Sequence, residues 1–185
     1  MAFFSLWEII QLILITGILG YIFSGFIQSP SRDPFSLKRF SWQDVWFAAL
    51  IATPAVVFHE FGHKFVAIAF GLAASFHAFW TGLLLGVILK FFGSPFLFLA
   101  PAYVSIPPGA TVLESALISF AGPAVNLLLF FVSWLVLRYK KKMSHSEHMA
   151  WAISKKLNLF LFWFNLIPIP PLDGWGVLQG ILGMF

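Results

Sequence analysis

The chain of 185 residues is 60% hydrophobic and only 10% charged, where soluble domains carry about 25% charged residues. With a mean hydropathy of +0.91, this composition excludes an ordinary soluble globule. The net charge of +4 comes from clustered loops, which reads as a topology signal and not as a nucleic-acid footprint. Cysteine is absent, so disulfides and thiolate metal sites are excluded. The fold class this predicts is an all-α polytopic membrane protein of about four transmembrane helices in one membrane-embedded domain over 1–185. Its 24 Phe and 8 Trp suit a lipid-facing surface with interfacial belts.

The first predicted span covers residues 1–27. Ser5-Leu6-Trp7-Glu8 fits a capping box and sets the helix start, which gives Glu8 a local role. The segment has no basic leading region, so the expectation is a retained span and not a signal peptide. Residues 28–41 form a polar linker with Pro30, Arg32, Pro34, Lys38 and Arg39. Ser41-Trp42-Gln43-Asp44 resembles the capping pattern with Asp in place of Glu, and it opens a second span over 42–70. Pro54 lies inside that helix, where its ring removes a backbone hydrogen bond and favours a kink.

Residues 71–110 are broken by Gly93, Pro95, Pro101, Pro107 and Pro108. They are too interrupted for one simple span, and a re-entrant segment or β hairpin between the second and third spans is expected. Gly82 and Gly86 could form a helix-packing face or be a chance pair in so apolar a chain. Thr111-Val112-Leu113-Glu114 is another capping box, opening a third span over 111–137. A basic loop follows over 138–156, in which His145 and His148 read as solvated. The last apolar segment, within 151–185, is a span broken by Pro168, Pro170 and Pro171.

The polar residues inside these spans carry the chemistry. Val57-Phe58-His59-Glu60-Phe61-Gly62-His63-Lys64 holds the pattern His-Glu-x-x-His in a helix long enough to cross a bilayer. Positions i and i+4 share a helix face, so His59 and His63 can hold one metal ion between them. Glu60 beside them is placed to take a proton from water activated by that ion. The bland alternative is a pair of hydrogen-bonded structural histidines. Catalytic zinc usually takes three protein ligands. One other acidic residue lies inside an apolar stretch and away from its ends: Asp173, whose competing role is to cap the helix beginning at Gly174. Helical rise puts His59, Asn126 and Asp173 each roughly 18–22 Å from Gly71, Thr111 and Phe185 respectively. All three therefore reach similar depth if those positions share one membrane face.

His59-Glu60-Phe61-Gly62-His63, Ala121-Gly122-Pro123-Ala124-Val125-Asn126 and Phe164-Asn165-Leu166-Ile167-Pro168-Ile169-Pro170-Pro171-Leu172-Asp173-Gly174 occur in that order. In this they resemble the site-2 protease family of intramembrane zinc metalloproteases, with the motifs spanning 57–174. The resemblance implies one zinc ion per chain on His59, His63 and Asp173, with Glu60 as general base. It also implies hydrolysis of peptide bonds in or near transmembrane helices of membrane protein substrates. Asn126 and Asn165 become candidates for holding the substrate backbone or oxyanion, with helix–helix hydrogen bonding as the equal alternative. Gly122-Pro123 reads as close packing and a kink.

The non-enzymatic alternative is a metal-stabilised membrane scaffold or chaperone on the same fold. A chain losing its protease activity is expected to lose Glu60 or a ligand, and all four are present. Expected partners are the bilayer and a transmembrane-helix substrate, with no nucleic acid. Gating is expected to fall to the first span and residues 71–110, or to a regulatory membrane partner. The protein is expected to be a multi-pass integral protein of the cell membrane. Nine of the eleven Lys and Arg lie in 28–41 and 138–156. The positive-inside rule puts these loops in the cytoplasm and the motif-bearing face outside; the family resemblance implies the opposite orientation.

Overall fold

A computed structural model describes residues 4–30, 40–94, 101–106 and 109–183. Among these, the order is α1 (Leu6–Phe23), α2 (Trp42–Ala69), β1 (Ser75–Ala78), α3 (Trp80–Phe91), β2 (Ala102–Ser105), α4 (Val112–Tyr139), α5 (His145–Asn165) and α6 (Asp173–Leu182). Arg32, Pro34, Lys38, Arg39, Pro95, Pro107 and Pro108, named above as linker and breaker residues, lie outside the described residues, as does Phe185. Three helices, α1, α2 and α4, are long and apolar enough to cross a membrane. Many of their large side chains stay exposed, among them Leu6, Ile13, Trp46, Leu50 and Leu128. Such a surface suits hydrocarbon as its solvent.

The expected local signals for helix starts hold at two places. Ser5 with Glu8, and Thr111 with Glu114, form complete capping boxes. Ser144 caps α5 by accepting from the Glu147 N–H. Ser41 also begins a helix, but its side chain makes no capping bond. Asp44 turns away from that role: it is buried, and its Oδ1 accepts from the Ser29 N–H at 2.8 Å. Gly71 ends α2 at φ +79°. There the Gly71 N–H bonds Ile68 O and the Leu72 N–H bonds Ala67 O, a Schellman closure that favours glycine in the left-handed region.

Residues 71–110 contain more than a hairpin. β1 and β2 pair antiparallel in the register Ser75↔Ser105, Phe76↔Val104, His77↔Tyr103 and Ala78↔Ala102, but α3 lies between them in sequence. Gly82, Leu83 and Gly86 are the buried residues of α3, and Lys90 donates to Tyr21 O and Ser24 Oγ at the end of α1. The outer edge of β1 is closed by α1 side chains. The Phe76 N–H donates to Glu8 Oε1 and the Ala78 N–H to Gln11 Oε1, each at 2.7 Å.

The basic stretch 138–156 is mostly helix, not loop, because Ser144 supplies a cap and α5 runs from His145. His145 and His148 are exposed in its first turn. Two polar contacts bind α5 antiparallel to α4: Asn126 to Asn158 at 2.9 Å, and Ser133 to Ser154 at 3.2 Å. After residues 166–172, α6 continues along α4. A Cβ on Gly176 would strike Ser119, and one on Gly180 would strike Ala116, so glycine lets the two backbones approach.

Glu8 does far more than cap. Its Oε2 accepts from the Ser5 N–H, while its Oε1 takes the buried Lys64 ammonium at 2.5 Å and the Phe76 N–H. Lys64 is 2% exposed, and removing one partner of a buried pair leaves an uncompensated charge. Glu8→Ala is therefore expected to cost about 3–5 kcal/mol, measured by unfolding in detergent. Combining it with Lys64→Met should recover part of that loss.

Candidate metal centre

His59 and His63 sit one helical turn apart on α2, both buried, and their imidazoles face each other nearly edge-on at 81°. Their tautomers follow from their partners. His63 Nδ1 lies 2.7 Å from Ile118 O. A backbone carbonyl only accepts, so this nitrogen carries the proton. His59 Nδ1 lies 2.6 Å from Asn126 Oδ1. The Asn126 Nδ2 donates to Ala55 O at 2.9 Å, which fixes its amide with oxygen toward His59. Both Nδ1 atoms are therefore donors, and both Nε2 atoms present lone pairs.

Those lone pairs converge with a carboxylate. The two Nε2 atoms are 3.2 Å apart. Asp173 Oδ2 lies 3.0 Å from His59 Nε2, and its Oδ1 lies 3.4 Å from His63 Nε2. With no proton on either nitrogen, Asp173 Oδ2 has no donor and is a buried atom without a hydrogen-bond partner. Two nitrogen lone pairs and a carboxylate thus crowd together as acceptors. A cation satisfies all three at once. Tetrahedral zinc with bonds of about 2.0 Å sets its ligands about 3.3 Å apart, close to the nitrogen–nitrogen spacing and to the nearest oxygen of each nitrogen here. Two imidazoles and a carboxylate also suit zinc chemically.

Neighbouring elements fix these positions. Asp173 is the first residue of α6, and Leu172 stands at the cap position. Its carboxylate makes no capping bond and points at the histidines instead, though the helix N-terminus still favours its charge. Gly174 is required next to it, because a Cβ there would strike Leu166 O. Gly122 on α4 faces the imidazoles directly, and a Cβ would meet His63 Nε2 and lie 2.7 Å from His59 Cε1. Its packing role is thus a requirement of the metal centre. Pro123 offers no N–H to Ser119 O, the residue after Ile118, whose carbonyl receives His63.

Glu60 is buried beside the histidines, and among the described residues its carboxylate makes no hydrogen bond. It lines a cavity of about 670 Å³ with His59, His63 and Asp173. Asn165, at the end of α5, lines the same cavity. Asn126 does not: it is fully buried, and its polar atoms are taken by His59, Ala55 and Asn158. Its hydrogen bonds here run between helices, to α2 and α5. His77 stacks on Tyr103 in the sheet, with ring centroids 5.4 Å apart. Two contributors went unread in the sequence, Asn158 and the Glu8–Lys64 pair. The available signal was a lone amide between Leu157 and Leu159, and a lysine directly after His63.

Comparison with known proteins places this geometry in a family. A protein of Methanocaldococcus jannaschii named "Putative zinc metalloprotease" is 35% identical over 181 residues, covering 95% of this chain and 85% of the relative. The chain belongs to this zinc metalloprotease family. Two further members share the name. A Bacillus subtilis protein is 37% identical over 78 residues, covering 38% of this chain and 36% of the relative. One from Synechocystis is 29% identical over 166 residues, covering 89% of this chain and 39% of the relative. The chain thus spans well under half of the latter two. No family model matches the chain, and no solved structure matches it. Zinc is the metal this membership implies for the cluster of His59, His63 and Asp173.

Gly122→Ala is expected to displace the imidazoles and weaken zinc binding at least about tenfold. Zinc content of the purified protein after dialysis against a graded chelator series measures it.

Proposed function

We propose that the chain is an intramembrane zinc endopeptidase of the site-2 protease type, cleaving peptide bonds in or near transmembrane helices of membrane protein substrates. The observation that carries this reading is the convergence of the His59 and His63 Nε2 atoms, 3.2 Å apart, on the Asp173 carboxylate, whose two oxygens lie 3.0 and 3.4 Å from them, beside the buried Glu60. Its two histidines lie on α2, one of the helices apolar enough to span a bilayer, and the centre opens on a cavity. In this reading one zinc ion per chain is held by His59, His63 and Asp173. α5 and α6 together form a fourth, broken span beside α1, α2 and α4, and the whole is one membrane-embedded domain.

A zinc ion held there supplies Lewis-acid activation of water and of the scissile carbonyl. Glu60 takes the proton of the attacking water and delivers it to the departing amide nitrogen, so that one carboxylate serves first as base and then as acid. The burial of the site excludes bulk water and strengthens the electrostatics that act on developing charge. A substrate helix must unwind first, because its own hydrogen bonds shield the amide.

The sheet offers a template for the unwound chain. Phe76 and Ala78 point their N–H groups away from β2 toward α1. The bonded pairs are therefore His77↔Tyr103 and Ser75↔Ser105, and on β2 the groups of Ala102 and Val104 face outward. β2 lines the cavity with Ala102, Tyr103 and Val104, next to Pro101. In this reading substrate adds there as a strand, and Asn165 bonds its backbone.

Two experiments test this. Glu60→Ala should retain zinc and lose at least about a hundredfold in cleavage of single-span reporter helices; equal cleavage by both proteins sinks the protease reading. Val104→Pro removes an outward N–H while leaving the inner pairs intact. It should raise KM and spare zinc content, and an unchanged KM rules out this edge as the docking strand.

A further inference from the structure

We propose that Asn158, on a helix that contributes no metal ligand, is a positioning residue that sets the tautomer and aim of His59. The inference rests on the metal centre of the proposed reading but not on its proteolytic step. Asn158 is 1% exposed. Its Nδ2 donates to Ser154 O at 2.9 Å, one turn back on α5. That carbonyl can only accept, so the Asn158 amide is fixed with its oxygen toward α4. There Oδ1 accepts from Asn126 Nδ2 at 2.9 Å. Asn126 Nδ2 also meets Ala55 O, so both amide protons of Asn126 are committed. Its Oδ1 is left facing His59 Nδ1.

The result is a one-way chain of donors and acceptors from α5 through α4 to α2. Each link has one possible sense, because a backbone carbonyl anchors each amide. Its output is a proton held on His59 Nδ1 and a lone pair held on Nε2, the atom 3.0 Å from Asp173 Oδ2. If the Asn158 oxygen is removed, one Asn126 amide proton is left buried without an acceptor. Ala55 O alone then opposes the flipped amide, which turns an N–H toward His59. The ring responds by protonating Nε2, the tautomer that cannot bind a metal. A ligand's outer partners typically change metal affinity by 10–100-fold, and this chain extends that dependence one residue further out.

The test uses the full-length protein in detergent, as wild type, Asn158→Leu, Asn158→Ser and Asn158→Asp. Zinc affinity is read by chelator competition, and the His59 tautomer by ¹⁵N NMR of metal-free, histidine-labelled protein. Asn158→Leu should weaken zinc about tenfold or more and convert His59 from a single Nδ1–H form to a mixture. Asn158→Ser, whose hydroxyl is too short to reach Asn126, should do the same and decides the matter if the leucine variant does not fold. Asn158→Asp, which in its neutral form keeps both an acceptor oxygen and a donor, should stay within threefold of wild type. Unchanged affinity and an unchanged tautomer in the folded serine variant overturn the proposal. Neither readout needs cleavage, so a zinc-binding wild type with this dependence but no protease activity defeats only the proposed function.

Discussion

The arrangement depends on two protons that are placed out of the way. His59 and His63 each spend an Nδ1–H on α4, one on the Asn126 amide and the other on the Ile118 carbonyl. Only then do both Nε2 lone pairs face Asp173 without a proton between them. α4 contributes no ligand, yet it determines where both imidazoles point. It also carries Ala116 and Ser119, against which Gly180 and Gly176 of α6 pack, so it sets the position of Asp173 as well. The three ligands are thus registered against one common helix. Close approach makes this possible: Cβ atoms at Gly62 and Gly122 would each collide across the α2–α4 contact, and a wider separation would put Ile118 O beyond reach of His63.

A polar centre inside an apolar bundle is stable only if nearly every group finds a partner. Asn126 and Asn158 satisfy each other and the backbone, as do Ser133 and Ser154. The groups left over are informative by contrast. Asp173 Oδ2 lacks a donor, and Glu60 makes no hydrogen bond among the described residues. Both face the cavity where an ion and water can complete them. Away from the cavity, Gln11 Nε2 and Thr53 Oγ1 are the buried side-chain atoms without a partner among the described residues.

The ligands were legible because each is an isolated cost in an apolar run. His59 and His63 are at helical spacing, and Asp173 is a carboxylate inside an apolar stretch and away from its ends. Asn126 was legible as a buried amide, but nothing in one sequence says which helix an amide will face, and here it faced α2 and not the cavity. Glu8 shows a different limit. Its capping box was read correctly, but a carboxylate has two oxygens. The second one takes Lys64 and Phe76, 56 and 68 residues away. Local pattern cannot see such partners. The four-residue strands are too short to show periodicity. The run of lysines after Arg138 masked α5, since charge marks exposure to water and does not oppose helix formation once Ser144 caps the start.

The first helix acquires a role that its apolar composition does not suggest. A two-stranded sheet has two open edges, each able to pair with another chain. Glu8 and Gln11 close the edge of β1 and leave that of β2, which lines the cavity. The same Glu8 oxygen that closes the edge also holds Lys64, the residue after His63. One carboxylate therefore ties the sheet to the metal-bearing helix at a fixed separation. A shift of α1 along α2 cannot move the sheet without straining that bond. A buried ion pair thus helps to fix the distance between the sheet and the histidines, so α1 acts as a spacer of the site as well as a candidate membrane span.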